Sequence, residues 1–98
     1  TDINWGDSNV QLSAEDLAGV AEGQTIVLTY QMIEADYHAL RVTNQDWSSD
    51  LVKQVDEINV NYPDGYEFVY TADCIAAVGE GSMVVTGFGY KLTKISVK

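Results

Sequence analysis

The sequence predicts an all-β protein, a β-sandwich jelly roll with one or two short helical turns. Three observations lead there. Several short stretches alternate apolar and polar residues with a period of two; turn-forming clusters separate them at close spacing; and the two helix-like segments are too short to scaffold a fold. A chain of 98 residues has room for one hydrophobic core. No Ser/Gly-rich linker or internal repeat divides it, so residues 1–98 are expected to form a single domain.

The first strand is expected at Asn9–Leu12, followed by a helical turn over residues 13–17 with Ser13 as its N-cap. From Gln24 to Met32, the residues Ile26, Leu28, Tyr30 and Met32 alternate with Thr25, Val27, Thr29 and Gln31, which assigns the first set to the core. Tyr37–Thr43 repeats the pattern, with Leu40 and Val42 facing inward and Tyr37, Ala39, Arg41 and Thr43 facing outward. Asn44-Gln45-Asp46 then breaks it with turn-forming residues just before Trp47. Further strands are expected at Val55–Val60, Tyr66–Tyr70, Ser82–Tyr90 and Leu92–Val97. A second helical turn, capped by Thr71, falls over residues 71–75. Tyr62, Tyr66, Phe68, Tyr70, Phe88 and Tyr90 read first as core.

Charge narrows the function. Five Lys and Arg against 15 Asp and Glu give a net charge of −10, which repels a phosphate backbone or an anionic membrane surface. Neither nucleic acid nor membrane is an expected partner. A lone cysteine, Cys74, can form no internal disulfide, and no apolar run approaches the length of a membrane span. The chain begins at Thr1 without a secretory pattern, so it is expected to be a module of a longer extracellular protein, with any signal peptide outside it.

Catalytic signatures are sparse. The acid pairs Glu15/Asp16, Asp56/Glu57 and Asp64/Glu67 lie in or beside turns or on polar faces, where a solvated carboxylate is the ordinary state rather than the desolvated acid of a hydrolase. His38 alternates with Leu40 and Val42 and reads as a satisfied, partly buried imidazole. Gly87-Phe88-Gly89 lies inside a strand pattern, not a phosphate-binding loop. No cofactor is expected. The acidic loops Asp46–Asp50 and Asn61–Gly65 could donate oxygens to a structural calcium ion, but they match no EF-hand spacing and define no ligand set.

What remains is an aromatic and amide inventory. Trp47 follows a turn and is flanked by Asp46, Ser48, Ser49 and Asp50, so no periodicity enforces its burial. Such an indole offers a flat apolar face that suits the C–H face of a sugar ring, while ring hydroxyls need the forked donors and acceptors of Arg41, Asn44, Gln45 and Gln31. Arg41 shares its strand face with Tyr37. The constellation Tyr37/Arg41/Trp47, with Gln45 and Gln31 as hydroxyl partners, is therefore the candidate binding site. Trp5 has an equal claim to covering the sandwich edge and to contacting a ligand.

The order Asn4-Trp5-Gly6, Asn9-Val10-Gln11-Leu12 and Glu22–Tyr30, then Asp36–Val42 and Trp47, and finally Phe68–Asp73, Met83–Gly87 and Thr93–Val97, resembles the β-jelly-roll carbohydrate-binding modules of gut and rumen bacterial glycanases. The resemblance implies a non-catalytic module that tethers a covalently linked glycoside hydrolase to plant polysaccharide. Tyr37, Arg41 and Trp47 would line its cleft. Ala39 stands where related modules carry a longer side chain, which implies a lost contact or room for a branched substituent. No row of tryptophans is present, favouring soluble chains over a crystalline surface, and the acidity favours a neutral β-glucan, xyloglucan or mannan. The rival expectation is a structural or protein-interaction β-sandwich of a secreted multimodular protein.

Overall fold

The computed structural model describes residues 1–98. Seven strands and three short helices follow in the order β1 (Asp2–Asn4), β2 (Val10–Leu12), α1 (Ala14–Leu17), β3 (Thr25–Met32), β4 (Ala39–Asn44), β5 (Asp50–Asp56), α2 (Ile58–Asn61), β6 (Gly65–Val69), α3 (Ala72–Val78) and β7 (Met83–Val97). All pairings are antiparallel, and every strand belongs to one curled sheet. The architecture is all-β and sandwich-like.

The 15-residue β7 organises it. Met83–Phe88 pairs with β4, and Tyr90–Val97 pairs with β3. Phe88 lies between Ala39 and Asn4, while Tyr90 lies between Met32 and Ile3. β4 and β3 therefore follow one another along the same side of β7, with β2 and β1 along the other. The strand bends between them, giving one leaf of β5, β4, β7 and β2 and a second of β6, β3, β7 and β1. At the bend Gly87 and Gly89 have φ of 133° and 83°, and a Cβ on either would run into backbone, the Ala39 carbonyl for Gly87 and the Tyr37 carbonyl for Gly89.

The core lies between the leaves. Ile26, Leu28 and Tyr30 of β3 face Leu40, Val42, Met83 and Val85 of the first leaf, as their alternation predicts. The buried Tyr30 and Tyr90 rings meet at 5.0 Å, and their hydroxyls donate to the carbonyls of Tyr62 (2.8 Å) and Thr86 (2.7 Å). Burial pushes both phenols above the ordinary tyrosine range, so they act as neutral donors. Tyr70 is also buried and Tyr66 and Phe68 are partly so, but Tyr62 is exposed and Phe88 is half-buried on the outer face of the first leaf, outside the core.

The expected N-caps are present: Ser13 and Asp16 form a reciprocal capping box, and Thr71 accepts the Cys74 N–H. Three expectations are corrected. The strand placed at Val55–Val60 ends at Asp56, because β4 begins at its partner Ala39 and leaves nothing further to pair with; the chain turns through left-handed Glu57 into α2 and buries Ile58. The strand is β5, and its first part, residues 50–54, lies outside the expected range. Its register shifts bring both Val52 and Val55 opposite the core residues Val42 and Leu40, a spacing of three that hides the period of two. The last two expected strands are one bent strand.

Gly87→Ala is expected to destabilise the protein by about 3 kcal/mol or more, combining a disallowed φ with backbone overlap. Gly6→Ala, where an added methyl meets nothing within 4 Å, should cost roughly 0.5 kcal/mol or less. Urea denaturation of the two variants checks the contrast.

Candidate functional site

The outer face of the first leaf is unusual for a solvent-facing sheet surface. Ala39 and Thr43 of β4 and Val84 and Thr86 of β7 are fully buried there, and neither Ala39 nor Val84 belongs to the core cluster. Larger side chains stand on the same face: Phe88 carries the stacked Tyr37 ring, Arg41 lies against Trp47, and Trp5 is hydrogen-bonded to Thr86 and Tyr37. Ala39, where a lost contact or room for a branched substituent is expected, is itself fully buried.

Trp47 sits half-buried in the β4–β5 loop. Its N–H donates to the Asn44 carbonyl (3.1 Å), closing a tight turn, and its φ of 64° puts it in the left-handed region. That region costs a bulky residue on the order of 1–2 kcal/mol, so the surrounding loop must enforce it. Asn44 does so by accepting the N–H groups of Ser48 (2.9 Å) and Ser49 (3.1 Å) on Oδ1. Asp46 accepts the Ser48 hydroxyl (2.6 Å) as well as its N–H (3.3 Å), and these bonds hold the Asp46 carboxyl below the usual carboxylate range.

Arg41 lies with its guanidinium carbon 5.3 Å from the Trp47 ring centroid, within cation–π distance. Its Nε and Nη2 both reach Asp50 Oδ1 at 2.6 Å, and Nη2 also approaches the Trp47 carbonyl at 3.4 Å. With side chains 24% and 30% exposed, the ion pair is worth about 1 kcal/mol at most; its main effect is orientation. Nη1 has no protein partner, leaving two donors free for a ligand hydroxyl.

Tyr37 precedes β4 rather than belonging to it. Its ring stacks on Phe88 at 4.5 Å and 19°, remains 48% exposed, and its hydroxyl accepts the Trp5 indole N–H (2.7 Å). Trp5, like Trp47, has a positive φ, here 39°. Its N–H donates to the Gly87 carbonyl (2.7 Å), and its own carbonyl accepts from Thr86 Oγ1 and Asn9 Nδ2, both at 2.9 Å. Beside Tyr37 runs a groove of about 400 Å³ edged by Asp36, Asp56, Glu57 and Asn59.

Of the residues expected at the site, Arg41 and Trp47 are in direct contact, and Tyr37 is on the same face one sheet row away. Gln45 lies against the turn between α3 and β7, where its side-chain oxygen accepts the Ser82 N–H (3.2 Å). Gln31 falls elsewhere: it pairs with Lys91 on the outer face of the second leaf, because β3 is not a neighbour of β4 but follows it along β7 past the bend. Sequence reasoning left Trp5 undecided and put Phe88 in the core. The signal for Trp5 was its setting, Asn4-Trp5-Gly6-Asp7, a tight turn like the one before Trp47.

His38 is partly buried with Nε2 2.9 Å from the Ile33 carbonyl, as expected. Asp16 serves the α1 cap and Glu67 pairs with Lys98. No three His, Cys, Asp or Glu side chains converge, and Asp46 and Asp50 of the acidic loop are engaged by Ser48 and Arg41. No helix is long and apolar enough to cross a membrane.

No family model and no curated protein matches the sequence. The fold is similar to that of a solved structure described as the Bacteroides ovatus mixed-linkage glucan utilization locus (MLGUL) SGBP-B in complex with mixed-linkage heptasaccharide, with a TM-score of 0.78 and 20% identity. The match covers 95% of this chain and 25% of the other, so the chain spans about a quarter of that protein's length.

Lowering the pH tests the Trp47 loop. Because the folded Asp46 pKa lies below the unfolded value of about 3.9, its stabilisation is present above that value and is lost as pH falls through the folded pKa. Asp46→Asn should therefore melt slightly below wild type at pH 7, and thermal scans should show the gap narrowing as the pH is taken below about 4.

Proposed function

We propose that this chain is a non-catalytic module that binds a neutral β-linked glycan, with β-glucan or xyloglucan the preferred class, on the outer face of its first leaf. The observation that carries this reading is the Arg41–Trp47 pair: an indole held in a strained backbone conformation, one ring face against a guanidinium whose orientation Asp50 sets and whose Nη1 is unused. A sugar ring can lay its C–H face on the remaining indole surface while its hydroxyls meet Arg41, the Gln45 amide and neighbouring carboxylates. The net charge of −10 disfavours anionic polymers. The similarity of the fold to a protein solved with a mixed-linkage heptasaccharide supports a glycan ligand of this kind.

Such a module works by tethering, raising the local concentration of polysaccharide for the longer extracellular or cell-surface chain it belongs to, a glycoside hydrolase on the family resemblance. Each ring buries little area, so affinities of about −4 to −8 kcal/mol, millimolar to micromolar, are expected. A second reading is favoured by one observation: the chain matches only a quarter of the glucan-binding protein, a share that a structural spacer would also fill.

Calorimetry with mixed-linkage glucan and xyloglucan oligosaccharides separates the two. The binding reading predicts saturable heat in the micromolar to millimolar range and a loss of about tenfold or more, roughly 1.4 kcal/mol, in Trp47→Ala. Absence of binding in folded wild-type protein, to soluble oligosaccharides and insoluble polysaccharide alike, favours the spacer.

A further inference from the structure

We propose that Trp5, Tyr37 and Phe88 form a second sugar subsite, so that the face binds the interior of an extended glycan chain lying across β4 and β7 and does not recognise a chain end. The inference rests on the glycan-binding reading above and names the form of its ligand. Both tryptophans of the chain occupy left-handed turn positions, Trp5 between β1 and β2 and Trp47 between β4 and β5, and both stand on the same sheet face. Two strained turns presenting indoles to one face is more than covering its buried small residues requires, since an aliphatic side chain in relaxed backbone would serve that purpose.

The two aromatic groups stand over different rows of one sheet face. Phe88, beneath Tyr37, pairs with Ala39, while Arg41, against Trp47, pairs with Thr86. Those two sheet rows are two residues apart along each strand, about 7 Å. Ala39 and Thr86, which complete these two rows, are small, so neither raises a long side chain between the groups.

Hydrogen-bonding capacity is arranged to match. The Trp5 indole N–H is committed to the Tyr37 hydroxyl, which leaves Trp5 an apolar ring and leaves the Tyr37 O–H proton without a protein acceptor. Past Tyr37, the groove edged by Asp36, Asp56 and Asn59 offers acceptors and an amide for the hydroxyls of a chain that continues. A monosaccharide would fill one platform and leave the other wet. A chain that spans both makes its second contact intramolecularly, so affinity should climb with ligand length until both are filled.

The experiment is calorimetry of wild type, Trp5→Ala, Tyr37→Ala and Trp47→Ala against a length series of mixed-linkage gluco-oligosaccharides from two to seven rings, with circular dichroism to verify folding. Wild type should gain roughly tenfold or more in affinity between the shortest ligands and the heptasaccharide. Trp5→Ala should abolish that gain while leaving short ligands within about twofold of wild type, whereas Trp47→Ala should weaken every length. Tyr37→Ala removes a half-exposed ring and should likewise abolish the gain with length, whatever it does to the shortest ligands, so it decides the matter should Trp5→Ala fail to fold. Retention of the full length dependence in these variants would overturn the second subsite while leaving glycan binding intact. Wild type that binds none of the series would overturn both.

Discussion

At Gly87 and Gly89 the longest strand of the protein passes so close to the backbone of Tyr37 and Ala39 that a side chain at either position would collide with it. The bend made there divides β7 between two leaves and lets Leu40, Val42 and Val85 face Ile26, Leu28 and Tyr30 across a shared core. The same few residues build the outer face. The Gly87 carbonyl receives the Trp5 N–H, Thr86 grips the Trp5 carbonyl, and Phe88 supplies the surface on which Tyr37 stacks. Fold and site are thus consequences of one constraint, the backbone approach that only glycine permits.

The outer face depends also on how small residues are distributed. Ala39, Thr43, Val84 and Thr86 make a low floor, and beside Arg41 and Phe88 of the strands stand aromatic side chains from loops whose hydrogen bonds fix them. Around Trp47 the bonds run through Asn44, Asp46 and Ser48; around Trp5 they run through Asn9, Thr86 and Gly87. Both loops hold an indole in backbone of a kind that a free chain seldom visits. A preorganised aromatic surface loses little entropy when it meets a rigid ligand, which matters where each ring contributes only a modest contact.

Much of this was legible in the residues. The alternation in β3 named its core face correctly, the caps at Ser13 and Thr71 formed, and the polar setting of Trp47 pointed to an indole outside the core. The illegible parts share a cause. A register shift turns period two into period three and hid the first part of β5 behind Val52 and Val55, and the bend at Gly89 made one strand look like two. Phe88 looked like core because it sits in an apolar run, yet the face it joins is covered by Tyr37 and not by the opposite leaf. Gln31 joins Arg41 in the sequence reading as a donor and acceptor for sugar hydroxyls, whereas the bend sends their strands into different leaves. Each failure concerns long-range placement that no local pattern encodes.

The most direct measurement is a heteronuclear NMR titration that follows the two indole N–H signals as a mixed-linkage heptasaccharide is added. With only two tryptophans in the chain, the spectrum reports each side of the face separately. The account predicts that both signals shift saturably with a common dissociation constant while the backbone amides of the buried Leu28 and Ile26 stay in place. Indole signals that remain fixed at saturating ligand concentrations, or shifts confined to the second leaf, would contradict it.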